Sequence, residues 1–353
     1  MHPCKAVARI TLGEGNTPLV RSRHIGPSTG IEHLYFKLES ANPTGSYKDR
    51  FAVAAVSDMV MQGKRRCVAT SSGNTGSALA AACAAANIAC EIAVVVTAPQ
   101  GKLRQMHAYG ANLYTVAGFG IDPDATLETF DTIAQLGAVP DAQLQISAYH
   151  YSPVGMTGVQ SIGYELAEQA RDIGRPIDHV FASAGGGGLT LATARGFERA
   201  AAEGAIDRSP AVHCVQPEGN NTIAGPLREG AAQAQNVDCT TDVSGLQVPS
   251  VIDGNEVIPA CRACGGTGVL VSDDTVWATQ QRMAREEGIF CEPAAAVPLA
   301  GALQAVEAGD LAKGDVIVCL VTGTGFKDET SVERMVADSP CPTLALDDLR
   351  ARL

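Results

Sequence analysis

Apolar and polar positions along the chain alternate between two periods. Short runs such as "RRCVAT", "CEIAVVV" and "NLYTVA" are rich in β-branched residues and nearly continuously apolar, as strands buried on both faces are. Between them lie the longer stretches "TGSALAAACAAAN", "GKLRQMHAYG" and "DATLETFDTIAQLG", where apolar residues return at helical spacing. At least two β-α-β units are therefore predicted between about 65 and 150. A second series follows, with helix "VQSIGYELAEQARDIG", strand "DHVFASA", helix "LTLATARGFERAAAE", strand "AVHCVQP", helices near 275–287 and 294–308, and strand "DVIVCLV". Such alternation predicts an α/β protein with two doubly wound, three-layer αβα domains. The segment from about 218 to 270, which contains "SGLQVPSVIDGNEV", has little periodicity and reads as a long loop region over a site.

Composition narrows the function. With 353 residues and 46% hydrophobic content, the chain can fill a sizeable core. Its net charge of −12, from 26 basic and 38 acidic side chains, repels phosphate backbones and anionic lipid surfaces, so neither nucleic acid nor membrane is an expected partner. No run of 18 apolar residues occurs and the start carries no secretory pattern, which places the protein in the cytoplasm. The 11 cysteines are scattered singly in apolar surroundings and read as buried reduced thiols. Cys261 and Cys264 form a C-x-x-C without a second ligand pair, so no metal is expected there.

In open parallel sheets, ligands collect outside the carboxyl ends of the strands, where helix N-termini direct unpaired N–H groups at anions. Three loops occupy that position. In "RRCVATSSGNTGSALAAA", Ser71, Ser72, Gly73, Asn74 and Thr75 offer N–H groups and short polar side chains to a carboxylate-sized anion. In "DHVFASAGGGGLTLATA", the four glycines Gly185 to Gly188 let several N–H groups converge on one phosphate. In "VIVCLVTGTGFKDE", Thr322 brings a hydroxyl to a strand end. Contiguous glycines, with no acidic residue closing the next strand, differ from the dinucleotide fingerprint and disfavour a nicotinamide enzyme. Lys48, in "SANPTGSYKDRF", has two readings: a solvated turn, or a lysine at a helix start where desolvation makes it a nucleophile towards carbonyls. A lysine, a phosphate cradle and a partner for a ring nitrogen are together what pyridoxal 5′-phosphate requires.

The blocks "LGEGNTPL", "KLESANPTGSYKDR", "SSGNTGSALAAA", "GKLRQMHAYGA", "AGGGGL", "REEGIFCEPAAA" and "VTGTGFKD" span Leu12 to Asp328. In that order they resemble the fold-type II, or tryptophan-synthase-β-like, pyridoxal-phosphate enzymes, and within that family they are most similar to the threonine synthases. The resemblance implies that Lys48 forms the Schiff base, Asn74 bonds the cofactor's 3′-oxygen, Gly185, Gly186, Gly187, Gly188 and Leu189 hold its 5′-phosphate, and Thr322 meets the pyridine nitrogen. Ser71, Ser72, Gly73 and Thr75 would hold the substrate carboxylate. A large cofactor-binding domain is expected at 1–43 plus 156–353 and a small mobile domain at 44–155. A neutral hydroxyl at the ring nitrogen implies weak ring protonation, which suits elimination and replacement.

The implied reaction converts O-phospho-L-homoserine and water to L-threonine and phosphate. The alternative is a serine/threonine ammonia-lyase or a β-replacement synthase on another amino acid. A homodimer acting on a small amino-acid substrate is the expected assembly. One departure concerns the leaving group: where the family usually has Asn-Pro-x-Arg, "YSPVGMTG" has Ser152 and Gly155, without a cation. Lys102 and Arg104 are expected on a solvated helix face, and His107, His150 and His213 are read as ordinary residues.

Overall fold

Two separate β-sheets organise the chain in the computed structural model, which describes residues 8–71, 73–96, 98 and 100–353. The strands are β1 (Leu19–Arg21), β2 (His33–Leu38), β3 (Arg66–Thr70), β4 (Ala89–Val94), β5 (Asn112–Thr115), β6 (Ala142–Leu144), β7 (His179–Ser183), β8 (Ala211–Pro217), β9 (Gly268–Val271) and β10 (Val316–Val321). The larger sheet has the order β1-β2-β10-β7-β8-β9, and the smaller β5-β4-β3-β6. Among the described strands, β1 alone runs antiparallel to its neighbour, and the other strand pairings are parallel.

The continuous apolar runs have the cause inferred from sequence. Every residue of β8 and β10 is buried, because helices cover both faces of the larger sheet. Ile317, Cys319 and Val321 pack in one cluster with helix Pro293–Glu307, while Val316, Val318 and Leu320 join another that includes Leu189, Leu191 and Ala192 of helix Gly188–Ala202. That second cluster continues through Phe51, Val56 and Met59 to Cys67, Ala69 and Ile92 of the smaller sheet. Opposite faces of β3 and β4 send Val68 and Ala93 towards Ile133 of helix Pro123–Gly137.

Helix Lys48–Met61 lies between the sheets and is buried from Asp49 through Met59, on all of its faces. Helix Pro153–Val159 packs against it through glycine. A Cβ on Gly158 would lie 2.1 Å from the Arg50 carbonyl oxygen, and one on Gly155 2.6 Å from Cε2 of Phe51. The close approach of the two backbones requires the missing side chains.

The expected α/β pattern of two parallel, helix-flanked sheets is present. Four strands escape the sequence pattern: the three-residue β1 and β6, β2, and the glycine-preceded β9. The region from 218 to 270 is not one loop, since it holds helices Ala224–Arg228 and Gly254–Ala263 and the start of β9, all too short or too glycine- and proline-rich to show a period. The cysteines are also less scattered in space than in sequence. The sulfurs of Cys67, Cys83 and Cys90 lie within 4.8 Å of one another, because β3 and β4 pair Cys67 with Cys90 and the intervening helix lays Cys83 over them.

Candidate active site

Both sheets reverse their winding direction at one point. In the smaller sheet the chain moves outward from β3 to β4 and β5, then returns to place β6 on the other side of β3. In the larger it moves outward from β7 to β8 and β9, then returns to place β10 on the other side of β7. Switch points of this kind open crevices at the carboxyl ends of the strands. The loops after β3, β6, β7 and β10 all line one cleft of about 760 Å3.

Lys48 is the first residue of its helix, and the turn before it is fixed from two sides. Asp49 accepts from the Thr44 backbone N–H at 2.8 Å and its hydroxyl at 2.7 Å; burial pushes the Asp49 carboxyl up to about 6, against those bonds. The Tyr47 N–H donates to the Thr322 carbonyl at 3.0 Å, and the Thr324 N–H to the Gly45 carbonyl at 3.0 Å, so the lysine turn is stitched to the loop after β10. The Lys48 ammonium donates to the Ser147 hydroxyl at 2.8 Å, beyond β6. Two residues on, Arg50 binds Glu39 at 2.7 Å and Glu165 at 2.6 Å, and Lys37 binds Glu165 at 2.7 Å. Burial opposes ionisation of Glu165, but Arg50 and Lys37 outweigh it and hold its pKa at about 2. This buried network anchors the helix that carries Lys48.

Gly185 to Gly188 connect β7 to helix Gly188–Ala202, and Gly187 takes the left-handed φ of +97° that starts the helix. A Cβ on Gly187 would lie 2.7 Å from Cγ2 of Val257, and one on Gly185 3.0 Å from Cγ2 of Val248, so the chain around 245–257 closes over the glycines. The N–H groups at the helix start lack helical acceptors. Leu189 turns its side chain into the core, leaving its backbone to the cleft.

Helix Asn74–Ala86 begins at the loop after β3. The Ser71 hydroxyl accepts from the backbone N–H of Gly73 at 3.2 Å and Gly76 at 2.9 Å, which shapes the loop, and Gly73 and Thr75 line the cleft beside it. Ser72 lies outside the described residues. The Asn74 amide donates to both oxygens of Glu292, at 3.0 and 2.9 Å, and its own oxygen is buried without a partner. Thr322 is buried and donates its hydroxyl to Glu292 at 3.0 Å.

Lys102 overturns its sequence reading. It is 6% exposed, lines the cleft, and donates to the Ser244 hydroxyl at 2.6 Å. The helix period cannot reveal that the face carrying it is covered by the chain around 244. Arg104 of the same helix is exposed. Lys327 is 5% exposed and donates to Gln105 at 2.6 Å; burial lowers its pKa to about 8, against the charges of Glu292 and Asp49. Gly155 leaves no room for a cation, being pressed on Phe51, and the Ser152 hydroxyl is occupied by the Ile146 N–H. His107 and His150 are exposed, while His213 stacks on Phe181 in the core, where burial and then His179 lower its pKa to about 3.

Lys48, Asn74, the glycine loop and Thr322 thus come together, and with them Glu292, Lys327 and Ser147, which sequence reasoning left without a role, and the strap around 242–252, part of the segment expected to lie over a site. Glu292 stood in "REEGIFCEPAAA", but nothing in its spacing marked the carboxylate as facing a site. The arrangement fits pyridoxal 5′-phosphate: a lysine amine, a helix start bared by glycines, and a buried threonine hydroxyl at a strand end all line one cleft.

Residues 10–323 match the family described as pyridoxal-phosphate dependent enzyme. Threonine synthase of Mycobacterium leprae is 30% identical over 345 residues, covering 96% of this chain and 89% of that protein. Threonine synthase of Methanosarcina acetivorans is 31% identical over 332 residues, covering 92% and 78% respectively. Among solved structures, maize serine racemase superposes with a TM-score of 0.77 at 22% identity, over 94% of each chain, a likeness of fold.

Proposed function

The chain belongs to the pyridoxal-phosphate-dependent enzyme family, and from that premise we propose that it is a threonine synthase-like lyase, converting O-phospho-L-homoserine and water to L-threonine and phosphate. Pyridoxal 5′-phosphate is its cofactor. The observation that carries the reading is the convergence, in a chain similar to threonine synthases over nearly its whole length, of Lys48, Asn74, the glycine loop and Thr322 on one cleft.

In this reading Lys48 would hold the cofactor through its aldehyde, and the amides from Gly185 to Leu189 would hold its phosphate. Asn74 meets the 3′-oxygen and Thr322 the ring nitrogen. The bound cofactor supplies an electron sink that acidifies hydrogens at the substrate's Cα and Cβ. Once its amine is free, Lys48 accepts and returns those protons, and the Ser147 hydroxyl 2.8 Å away keeps it directed into the cleft. Ser71, Ser72, Gly73 and Thr75 hold the substrate carboxylate. Lys102 and Lys327, both buried and both hydrogen-bonded to neutral partners, receive the phosphate leaving from Cγ in place of the missing arginine. The water oxygen then adds at Cβ.

Residues 44–155 form the small mobile domain, with 1–43 and 156–353 as the large one. The enzyme acts as a cytoplasmic homodimer on a small amino-acid substrate; no described helix is long and apolar enough to cross a membrane, and the charge of −12 disfavours nucleic acid.

Incubation of the loaded enzyme with O-phospho-L-homoserine is expected to release equal amounts of phosphate and L-threonine. Formation of 2-oxobutanoate or pyruvate from threonine or serine, without phosphate release, would instead identify an ammonia-lyase.

A further inference from the structure

The smaller sheet carries a second group of reactive side chains, away from the cleft. Cys67 and Cys90 are the second residues of β3 and β4 and pair in register, while Cys83 lies near the C-terminal end of helix Asn74–Ala86. Their three sulfurs lie within 4.8 Å of one another. The loop to Asn74 leaves β3 at its other, carboxyl end, so the thiols sit at the end of the sheet remote from the cofactor loops. Cys67 and Cys83 are fully buried and Cys90 is 5% exposed, in a cluster with Met59, Ala82, Ile88 and Ile92 that excludes water.

We infer that Cys67, Cys83 and Cys90 form a binding site for one soft monovalent cation, Cu⁺, held by sulfur alone. A metal about 2.3 Å from each of three sulfurs in a plane needs them about 4 Å apart, a small contraction of the spacing the fold supplies. Among the described residues, no histidine or carboxylate joins the group. Tetrahedral Zn²⁺ would therefore lack a fourth ligand, with no water to complete it, and hard cations find no oxygen. Thiolate sulfur selects Cu⁺, which needs no fourth ligand. Charge points the same way. Hydrogen bonds from the Cys67 and Cys83 thiols lower the Cys90 pKa against the cost of burial, and one thiolate neutralises one monovalent ion, whereas a divalent ion would leave net charge in an apolar core. Any further sulfur that binds as thiolate releases its proton to solvent, and no electron changes hands. Entry lies beside Cys90, at the short turn through Asn87 that joins the helix to β4. The bound ion would tie both strands to the helix that begins at Asn74.

The test is an anaerobic titration of the reduced, cofactor-loaded protein with Cu⁺ supplied as its coloured bicinchoninate complex, followed by X-ray absorption at the copper edge. One ion per chain is expected to leave the chelator and to show sulfur neighbours only. Cys83→Ala, a change that a helix tolerates, is expected to weaken binding roughly 100-fold or more, since losing even an outer contact of a metal site costs roughly 10–100-fold. Cys341→Ser, at an exposed thiol, is expected to leave binding unchanged. Copper that stays with the chelator, that shows nitrogen or oxygen neighbours, or that is lost with Cys341→Ser and retained with Cys83→Ala overturns the inference. If Cys83→Ala fails to fold, the X-ray measurement on the unaltered protein and on Cys341→Ser still decides it.

Discussion

An ammonium held against a single serine hydroxyl and shut away from water, as Lys102 is, gains from any anion that reaches it. Lys102→Met is expected to raise KM for O-phospho-L-homoserine tenfold or more, as the loss of a charge-assisted contact of about 1.5–3 kcal/mol would, and to leave cofactor loading unchanged, measured by steady-state kinetics beside an absorbance titration. Glu165 answers to pH. Its pKa falls from 4.5 to about 2 in the folded chain, so its contribution is complete above pH 4.5 and is lost as pH falls towards 2. Urea titrations across that window are expected to lose about 3 kcal/mol from this group, and Glu165→Gln should flatten the decline. Asp49 works in the opposite sense, since burial raises its pKa from 3.8 to about 6 and acid relieves that cost between those values.

The contact between helix Lys48–Met61 and helix Pro153–Val159 depends on the space a methyl group would fill. Gly158→Ala is expected to destabilise the protein by about 1–3 kcal/mol through overpacking and to lower its melting temperature, read by calorimetry. The same helix carries Lys48, so weaker cofactor retention should accompany the loss. Long elements of this kind were legible in the sequence: β3, β4, β7, β8 and β10 fall on the apolar runs, and the helices between them on the alanine-rich stretches. The glycine loop and Thr322 could be located because each follows a recognisable strand. Lys102 and Glu292 could not, since their surroundings come from residues around 244 and 322, and a local pattern carries no information about what the fold brings opposite it. The strap around 242–252 was legible only as irregular chain over a site: it packs over the glycines without regular structure, hence without a period that could say which residues it covers.

Across the whole molecule, the cleft is built by four loops from two sheets, so a ligand bound there touches both at once. Pyridoxal 5′-phosphate at 100 times its dissociation constant is expected to stabilise the fold by about 2.7 kcal/mol, visible as a concentration-dependent rise in melting temperature that Lys48→Ala diminishes. The larger sheet adds a consequence for biosynthesis. Its central strand β10 is the last of the described strands in the chain, yet β2 and β7 must flank it. While the ribosome is still translating, those two strands therefore wait with unsatisfied inner edges, sticky to any extended polypeptide nearby, until the residues from Val316 to Val321 emerge and close the gap.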